Sequence, residues 1–186
     1  DRLLPQLISE GIGKKRPLRI WSAGCSTGEE PYTLAMVLHE WNRSHTPIDF
    51  SILATDISFS VLQKAKRAIY TKKDIAPVPL SMKQAYILRK NDNDDVVKMS
   101  SLLRDKITFK SLNLKDEHYN IPHKMDIIFC RNVMIYFDNT TQTTIINSYA
   151  KNMVSGGHLF LGHSESINGL NVPFSSVANT VYQKNS

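Results

Sequence analysis

The chain has 186 residues and a mass of 21.1 kDa, which suits one domain that folds without disulfides or metals. Hydrophobic residues make up 41% and charged residues 22%, which excludes a disordered chain, and no apolar run reaches the roughly 18 residues that cross a bilayer, which excludes membrane insertion. The 2 cysteines favour a reducing, cytoplasmic compartment over a secreted disulfide scaffold, and the formal charge of +6 favours an anionic partner of unspecified kind.

In chain order, the sequence begins without an initiator Met or a signal-peptide layout, so we expect a domain taken from a longer chain. Short apolar strands then alternate with helical stretches, which predicts βαβ units and a parallel sheet. The strands are predicted at 18–23, 50–55, 106–111, 125–130, 158–162 and 180–183. Five strands of the parallel type plus a late strand pair predict a doubly wound, mostly parallel α/β sheet with antiparallel additions.

Helices are predicted after three of these strands from apolar residues at helical spacing. The first helix is marked by Leu34, Val37, Leu38 and Trp41. The second helix is marked by Val61, Leu62, Ala65, Ala68 and Ile69. The third starts near Thr140, carries Ile145, Tyr149 and Met153, and is expected to stop at Gly156 and Gly157.

A segment with a different residue pattern interrupts the alternation of strands and helices between the second and third strands. Short apolar runs at 86–89 and 96–99 flank the Asn- and Asp-rich run 91–95, which predicts a hairpin. We therefore expect a small inserted antiparallel β-subdomain at about 84–104 within one domain that spans 1–186.

Ligands of doubly wound sheets bind beyond the carboxyl ends of the strands, so the residues there are the candidates for a site. The first strand is followed by a small-residue turn from Gly24 to Gly28, which lets a ligand approach the backbone and the free N–H groups of the next helix. The turn lacks both the third glycine of a dinucleotide loop and the Gly-Lys-Ser/Thr of a phosphate loop. A tight strand-to-helix turn explains the same residues equally well.

Acidic residues stand near the ends of the first two strands. Glu29 and Glu30 suit a cationic or hydroxyl-rich ligand, although Thr27-x-x-Glu30 also fits a capping box. Asp56 ends the second strand, where a carboxylate can accept both ribose hydroxyls; the alternative is a helix N-cap, a role that Ser58 can fill. Because no third glycine admits a pyrophosphate, a nucleoside ligand such as S-adenosylmethionine is favoured over NAD.

Polar residues also follow the third and fourth strands. Asn113 can pair with a base edge between its two flanking leucines, or serve as an ordinary turn residue. Arg131 and Asn132 come directly after the most apolar strand, where a charged residue points to function, with a salt bridge to a structural acid as the alternative. Tyr136 follows four residues later and is expected to lie over a ligand or to pack.

Other familiar sites are not indicated. The segment 162–165, Gly-His-Ser-Glu, is not a nucleophile elbow, and three adjacent residues cannot form a catalytic relay. The acidic run at 91–95 lacks the glycine and distal glutamate of a calcium loop, and the His and Cys residues lack zinc spacing, so no metal is expected. Scattered basic residues without interleaved aromatics give no reason to expect a nucleic-acid partner.

Four segments of the chain carry a resemblance to a known family. They read WSAGCSTGEEPY at 21–32, ATDI at 54–57, DIIFCRNVMIYF at 126–137 and GHSE at 162–165. In this order they closely resemble the chemotaxis receptor methyltransferases, the CheR family. The resemblance covers nearly the whole chain, from about 18 to 183, and the first and third segments are long and specific.

The resemblance implies an S-adenosylmethionine-dependent protein-glutamate O-methyltransferase with a Rossmann-like, class I sheet of seven strands. It implies chemoreceptor glutamates on cytoplasmic methylation helices as the substrate in chemotaxis adaptation, and S-adenosylhomocysteine as the product. It also implies that the predicted hairpin matches a small β-subdomain that docks a receptor-tail peptide in some members.

Carried over by position, the resemblance implies a set of cofactor-binding residues. They are Ala23, Gly24, Glu30, Asp56, Ile57, Asn113, Leu114, Arg131 and Asn132. Asp56 is expected at the ribose, and Asn113 with Leu114 on the adenine side. Catalytic roles are expected for Tyr136, near the transferred methyl group, and for Arg131, which can orient the attacking carboxylate.

The chain departs from the family pattern at its start. By the resemblance, we expect the given sequence to start after the family's N-terminal helical domain and after an Asn-x-Thr-x-Phe-Phe-Arg segment that adds cofactor contacts. Two alternatives therefore stay open: a methyltransferase with another substrate, and a cofactor-binding regulatory module with weak or no catalysis. The first is disfavoured because the Asn/Asp-Pro-Pro-Tyr/Phe motif of base-amino methyltransferases is absent.

Overall fold

The computed structural model describes residues 3–89 and 95–186. The strands are β1 Leu18–Ala23, β2 Phe50–Asp56, β3 Ile69–Thr71, β4 Ile87–Leu88, β5 Val96–Met99, β6 Ile107–Ser111, β7 Met125–Cys130, β8 Met153–Leu161, β9 Phe174–Ala178 and β10 Val181–Lys184. The helices are α1 Leu3–Ser9, α2 Glu29–Ser44, α3 Phe59–Arg67, α4 Leu80–Tyr86, α5 Ser101–Arg104 and α6 Asn139–Lys151, with a 3₁₀ turn at Met134–Tyr136. None of the helices in these described ranges has the length and hydropathy needed to cross a membrane.

Seven of the strands form one sheet in the order β6-β2-β1-β7-β8-β10-β9. The first five strands in this order run parallel, and β10 pairs antiparallel with β8 on one side and β9 on the other. The predicted fold class, a doubly wound and mostly parallel sheet with late antiparallel strands, is confirmed. Strand order reverses between β1 and β7, so the crevice at their carboxyl ends is the expected ligand site.

Alternation along the central strands builds an apolar core on each face of the sheet. Ile20 of β1 lies in one buried cluster and its neighbour Trp21 in the other, and Ile127 and Ile128 of β7 divide in the same way. Because both faces are covered, these strands are continuous apolar runs in the sequence. The indole N–H of buried Trp21 donates to Thr55 Oγ1 at 2.9 Å, so the core keeps this polar atom paired.

The inserted β structure is a three-stranded antiparallel sheet in the order β3-β5-β4. The predicted pairing of the runs at 86–89 and 96–99 is confirmed, because Ile87 lies opposite Met99 and Leu88 opposite Lys98. Residues 90–94, which hold most of the predicted turn, lie outside the described residues. β3 precedes the range 84–104, and the boundaries of the insert as a subdomain stay a prediction.

The third strand of the small sheet corrects the prediction for the second helix. The spacing predicts Ala68 and Ile69 on the apolar face of that helix, but α3 ends at Arg67. Ala68 takes a left-handed conformation with φ of 58°, and its N–H donates to Ala65 O at 3.1 Å. This left-handed cap turns the chain out of the helix, so Ile69 begins β3 and is 43% exposed.

Two further helix details are also corrected. Val37, one of the apolar residues that mark the first predicted helix, is 46% exposed, whereas Ala35 and Leu38 of α2 are buried. Met153, expected in the last turn of α6, is the first residue of β8. Gly156, expected to stop that helix, lies inside β8 with φ of 73°, where the register with β7 shifts.

Candidate cofactor site at the carboxyl ends of the sheet

Two adjoining cavities lie at the carboxyl ends of the central strands and share Gly24, Ser26 and Asn132 in their walls. The smaller, of about 430 Å³, lies against the start of α2. The larger, of about 580 Å³, lies between the ends of β2, β6 and β7. A cavity of about 680 Å³ beside α1 and β8 is larger than either, but it contains none of the predicted site residues.

The turn after β1 forms the floor that both cavities share. The N–H groups of Gly24 and Cys25 each donate to Thr55 O at 2.8 Å, which ties this turn to β2. Gly24 has φ of 76°, and a Cβ built on it would lie 2.5 Å from Cγ2 of Val133. Glycine is therefore required here by backbone conformation and by contact with the loop after β7.

Asp56 lies at the rim of the larger cavity and links two turns. Its Oδ2 accepts the N–H of Ser26, and its Oδ1 accepts the N–H of Ser58, both at 2.9 Å. Ser58 occupies the N-cap position of α3, so the carboxylate of Asp56 is not the helix cap. A carboxylate can accept about four hydrogen bonds; the half-buried Asp56 therefore keeps places for two ligand hydroxyls.

Glu30 lies in the smaller cavity and points towards the strand end. Its Oε1 accepts the hydroxyl of Ser22 at 2.7 Å, and its Oε2 lies 3.6 Å from Nη1 of Arg131. The capping-box alternative is wrong, because Thr27 Oγ1 donates to Glu29 instead, at 2.7 Å. Burial raises the pKa of the Glu30 carboxyl, and the Ser22 hydrogen bond and the Arg131 charge oppose that rise.

The loop after β7 forms the far wall of both cavities. Arg131 lines the smaller cavity, and its side chain is 44% exposed. The salt bridge that the sequence offered as an alternative is formed with Glu30, which lines the same cavity. Asn132 has φ of 58°, a left-handed conformation that asparagine tolerates better than most residues. Tyr136 lines the larger cavity and is 77% exposed, so it borders the opening and is not packed in the core.

Residues after β2, β6 and β7 give the larger cavity an apolar slot. Ile57, Leu112, Leu114 and Phe137 all line it. The Oδ1 of Asn113 accepts the N–H of Lys115 at 3.0 Å, as in an ordinary turn. The same residue also lines the cavity. Such apolar side chains suit a flat base ring.

The structure brings together most of the predicted site. Eight of the nine predicted cofactor-binding residues line the two cavities; the ninth, Ala23, is 1% exposed and is buried beneath the turn. The sequence reasoning missed cavity residues that neighbour predicted ones, namely Ser26, Lys115, Val133 and Phe137. It also missed Glu165, a buried acid that touches neither cavity but accepts N–H groups from the loop after β7.

These features define a class of fold: a Rossmann-like sheet of the class I methyltransferase type. The whole chain is similar to magnesium protoporphyrin IX methyltransferase (ChlM) from Synechocystis PCC 6803 with bound SAM, at a TM-score of 0.50 and 15% identity over 77% of that chain, a likeness that extends to the fold alone.

Sequence relatives then give the family. Residues 1–183 match the family model "CheR methyltransferase, SAM binding domain", so the chain belongs to the CheR family and contains its S-adenosylmethionine-binding domain. It is 40% identical over 188 residues to the chemotaxis protein methyltransferase of Borreliella burgdorferi and 39% identical over 179 residues to that of Salmonella typhimurium. The chain covers 100% and 96% of its own length in these matches but only 65% and 62% of the relatives.

The residues present fit this cofactor. The slot offers apolar contact to adenine, and Asp56 offers acceptors to ribose hydroxyls. The smaller cavity offers the acidic Glu30, which complements a cationic amino-acid end. The absence of a basic phosphate cradle at Gly24–Gly28 agrees with a nucleoside that has no pyrophosphate.

Proposed function

We propose that this domain methylates glutamate side chains on the cytoplasmic methylation helices of chemoreceptors, and that it acts in the cytoplasm during chemotaxis adaptation. One observation carries the proposal: Arg131 and Tyr136 border the same pair of cavities that contain the acids suited to the cofactor. The proposal also rests on the similarity to chemotaxis protein methyltransferases, whose activity belongs to proteins longer than this chain.

Within the proposal, Asp56 holds the ribose, Ile57 and Leu114 with Asn113 hold the adenine, and Glu30 holds the amino-acid end. When bound, S-adenosylmethionine supplies an electrophilic methyl group on a sulfonium. A glutamate substrate is already ionised at neutral pH, because its pKa is about 4.3, so the domain needs no strong general base. Its residues must instead position the carboxylate and exclude water around it.

Arg131 is placed to orient that carboxylate. Its guanidinium is only partly engaged, since the contact with Glu30 is 3.6 Å long, so donors remain for a second acid. A tight bidentate pair with the substrate would reduce the nucleophilicity of its carboxylate, so within the proposal Arg131 only orients that carboxylate while it stays in contact with Glu30. Within the proposal, Tyr136 lines the approach to the methyl group, and a Tyr136→Phe variant tests the role of its hydroxyl. A turnover number reduced about tenfold supports a polar role of the hydroxyl. An unchanged turnover number would limit the role of Tyr136 to packing by its ring.

The surface beside the larger cavity suits an acidic helix with apolar anchors. Ile57 and Phe59 are 67% and 69% exposed at the start of α3. On the solvent face of the same helix, exposed Lys64 and Arg67 are three residues apart and so lie one above the other. An acidic substrate helix can thus place apolar residues near the cavity and carboxylates along α3. The exposed outer face of the small sheet is the corresponding place for a receptor-tail peptide.

The experiment that tests the function has two parts. Calorimetric titration with S-adenosylhomocysteine measures cofactor binding, and transfer of labelled methyl groups to a purified receptor cytoplasmic fragment measures activity, each on this chain and on the full-length protein. Base-labile label on receptor glutamates supports the proposal. Binding without transfer by the full-length protein identifies a regulatory module, and transfer to RNA in place of receptor identifies another substrate.

Charge reversal tests the docking surface separately. The double variant Lys64→Glu with Arg67→Glu should raise the KM for the receptor fragment about tenfold and flatten its salt dependence. Its affinity for S-adenosylhomocysteine should not change. Lys151→Glu, an exposed lysine at the end of α6, is the matched control. Equal KM values for the double variant and the control would show that α3 is not part of the docking surface.

A further inference from the structure

Glu165 is a buried acid whose partners are almost all backbone N–H groups. It is 5% exposed and follows β8 in a short turn. Its Oε1 accepts the N–H groups of Val133 at 2.8 Å and Met134 at 2.7 Å, with that of Ile135 at 3.4 Å. Its Oε2 accepts the N–H of Asn132 at 2.9 Å and that of Gly162 at 2.6 Å.

These bonds join two segments that the chain order separates. The N–H of Gly162 belongs to the end of β8, and the other donors belong to the loop after β7. A loop of successive N–H groups pointing inward has no strand or helix partner for them, and buried donors need an acceptor. The carboxylate supplies that acceptor and compensates the left-handed conformation of Asn132.

The loop that Glu165 holds is the wall of the cofactor site. Asn132 lines both cavities and Tyr136 lines the larger one. The side chain of Val133 lies so close to Gly24 that Gly24 could not carry a Cβ. The loop after β7 therefore also packs against the turn after β1. A displacement of this loop would move Arg131, which precedes it directly, together with both cavity walls.

We propose that Glu165 is a positioning residue of the methyltransferase site, which acts through the backbone of residues 132–135 and does not touch the cofactor or the substrate. The inference deepens the proposed function and depends on it only for the catalytic consequence. The carboxylate is required as such, because the N–H groups approach both of its oxygens. A glutamine amide in either orientation turns NH₂ towards at least two N–H donors and leaves them unpaired.

Amide hydrogen exchange of the 186-residue chain, followed by NMR without any ligand, tests the proposal directly. In Glu165→Gln the amides of Asn132, Val133 and Met134 should exchange about tenfold or more faster, while those of β1 and β2 keep their protection. The affinity for S-adenosylhomocysteine should fall about tenfold. Glu165→Asp, which keeps a carboxylate, should recover part of both losses. Glu10→Gln makes the same chemical change at an exposed acid and is the control.

A second variant keeps the test decisive if Glu165→Gln does not fold. A Cβ on Gly162 would lie 2.7 Å from Glu165 Oε2 and 3.0 Å from the N of Asn132, so Gly162→Ala pushes the carboxylate away from the loop without changing the acid. It should show the same local loss of protection. Unchanged exchange at residues 132–134 in a folded Glu165→Gln or Gly162→Ala variant overturns the proposal. Since exchange is measured on the free chain, that result would leave the proposed methyl transfer untouched.

Discussion

Replacement of Asp56 by alanine is the sharpest test of the cofactor site. In the structure each carboxylate oxygen accepts one N–H group, from Ser26 or from Ser58, and can accept further hydrogen bonds at the cavity rim. A hydrogen bond to a charged group contributes about 1.5 to 3 kcal/mol. Two ribose hydroxyls therefore contribute at least about 3 kcal/mol, and their loss weakens binding about 100-fold or more.

The stability cost of the same change should be small. The two N–H groups belong to turns that are partly exposed, so water replaces the carboxylate in the variant. We expect a loss of about 1 kcal/mol in the free energy of unfolding, measured by urea denaturation. Asp56→Asn, which keeps one carbonyl oxygen, should fall between the parent chain and the alanine variant in affinity.

The assay is calorimetric titration with S-adenosylhomocysteine, with urea denaturation of each variant alongside. Asp105→Ala, which removes an exposed carboxylate at the end of α5, is the control and should bind as the parent does. Affinity of a folded Asp56→Ala variant within about twofold of the parent would refute the assignment of Asp56 to the ribose. A parent chain that binds only when the family's N-terminal segment is restored would show that the segment completes the site.

Two further predictions concern groups with shifted pKa values. Because burial raises the pKa of Glu30 above its usual 4.5, the folded state binds more protons than the unfolded state just above that value, and the free energy of unfolding falls as pH rises through this window. Glu30→Gln should therefore be more stable than the parent at neutral pH, with a flatter pH profile of Tm, while it binds S-adenosylhomocysteine more weakly; a less stable variant would contradict the argument. Burial also raises the pKa values of Cys25 and Cys130 to about 12, so iodoacetamide at about pH 8 should modify neither thiol in the folded chain and both in urea, as counted by mass spectrometry. Rapid labelling of Cys25 in the folded chain would show that the turn after β1 opens.

The central parallel strands, and the edge of the sheet where the candidate site lies, could be predicted because both depend on local signals. Apolar runs that alternate with helical stretches predict a parallel sheet, and a parallel sheet places the carboxyl ends of its strands at one edge. Polar residues that directly follow those runs, such as Asp56 and Arg131, are then brought to the same edge, and the conformation of the loops does not change this. The structure agrees in placing both at the rim of adjoining cavities.

The choices between alternative roles could not be made from the sequence, because they depend on contacts across the chain. Thr27 and Glu30 have the spacing of a capping box, yet Ser22 of β1 and Arg131 after β7 draw the carboxylate of Glu30 into the site. Ile69 has helical spacing with the residues of α3, yet pairing with Lys98 in the small sheet takes it into a strand. Local spacing is satisfied in both cases, and tertiary pairing decides the outcome.

Asp56 and Glu165 share the same chemistry, and we propose a different role for each. Each carboxylate joins two loops through backbone N–H groups, the first at the ends of β1 and β2, the second at the ends of β7 and β8. Glu165 is buried and receives five N–H groups, which exceeds the roughly four acceptor places of a carboxylate, so it has none left for a ligand. Asp56 receives two and borders the cavity, so it has places to offer. We therefore expect the number of N–H groups that a strand-end acid already satisfies to separate a residue that holds the frame, as proposed for Glu165, from one that binds the nucleoside, as proposed for Asp56.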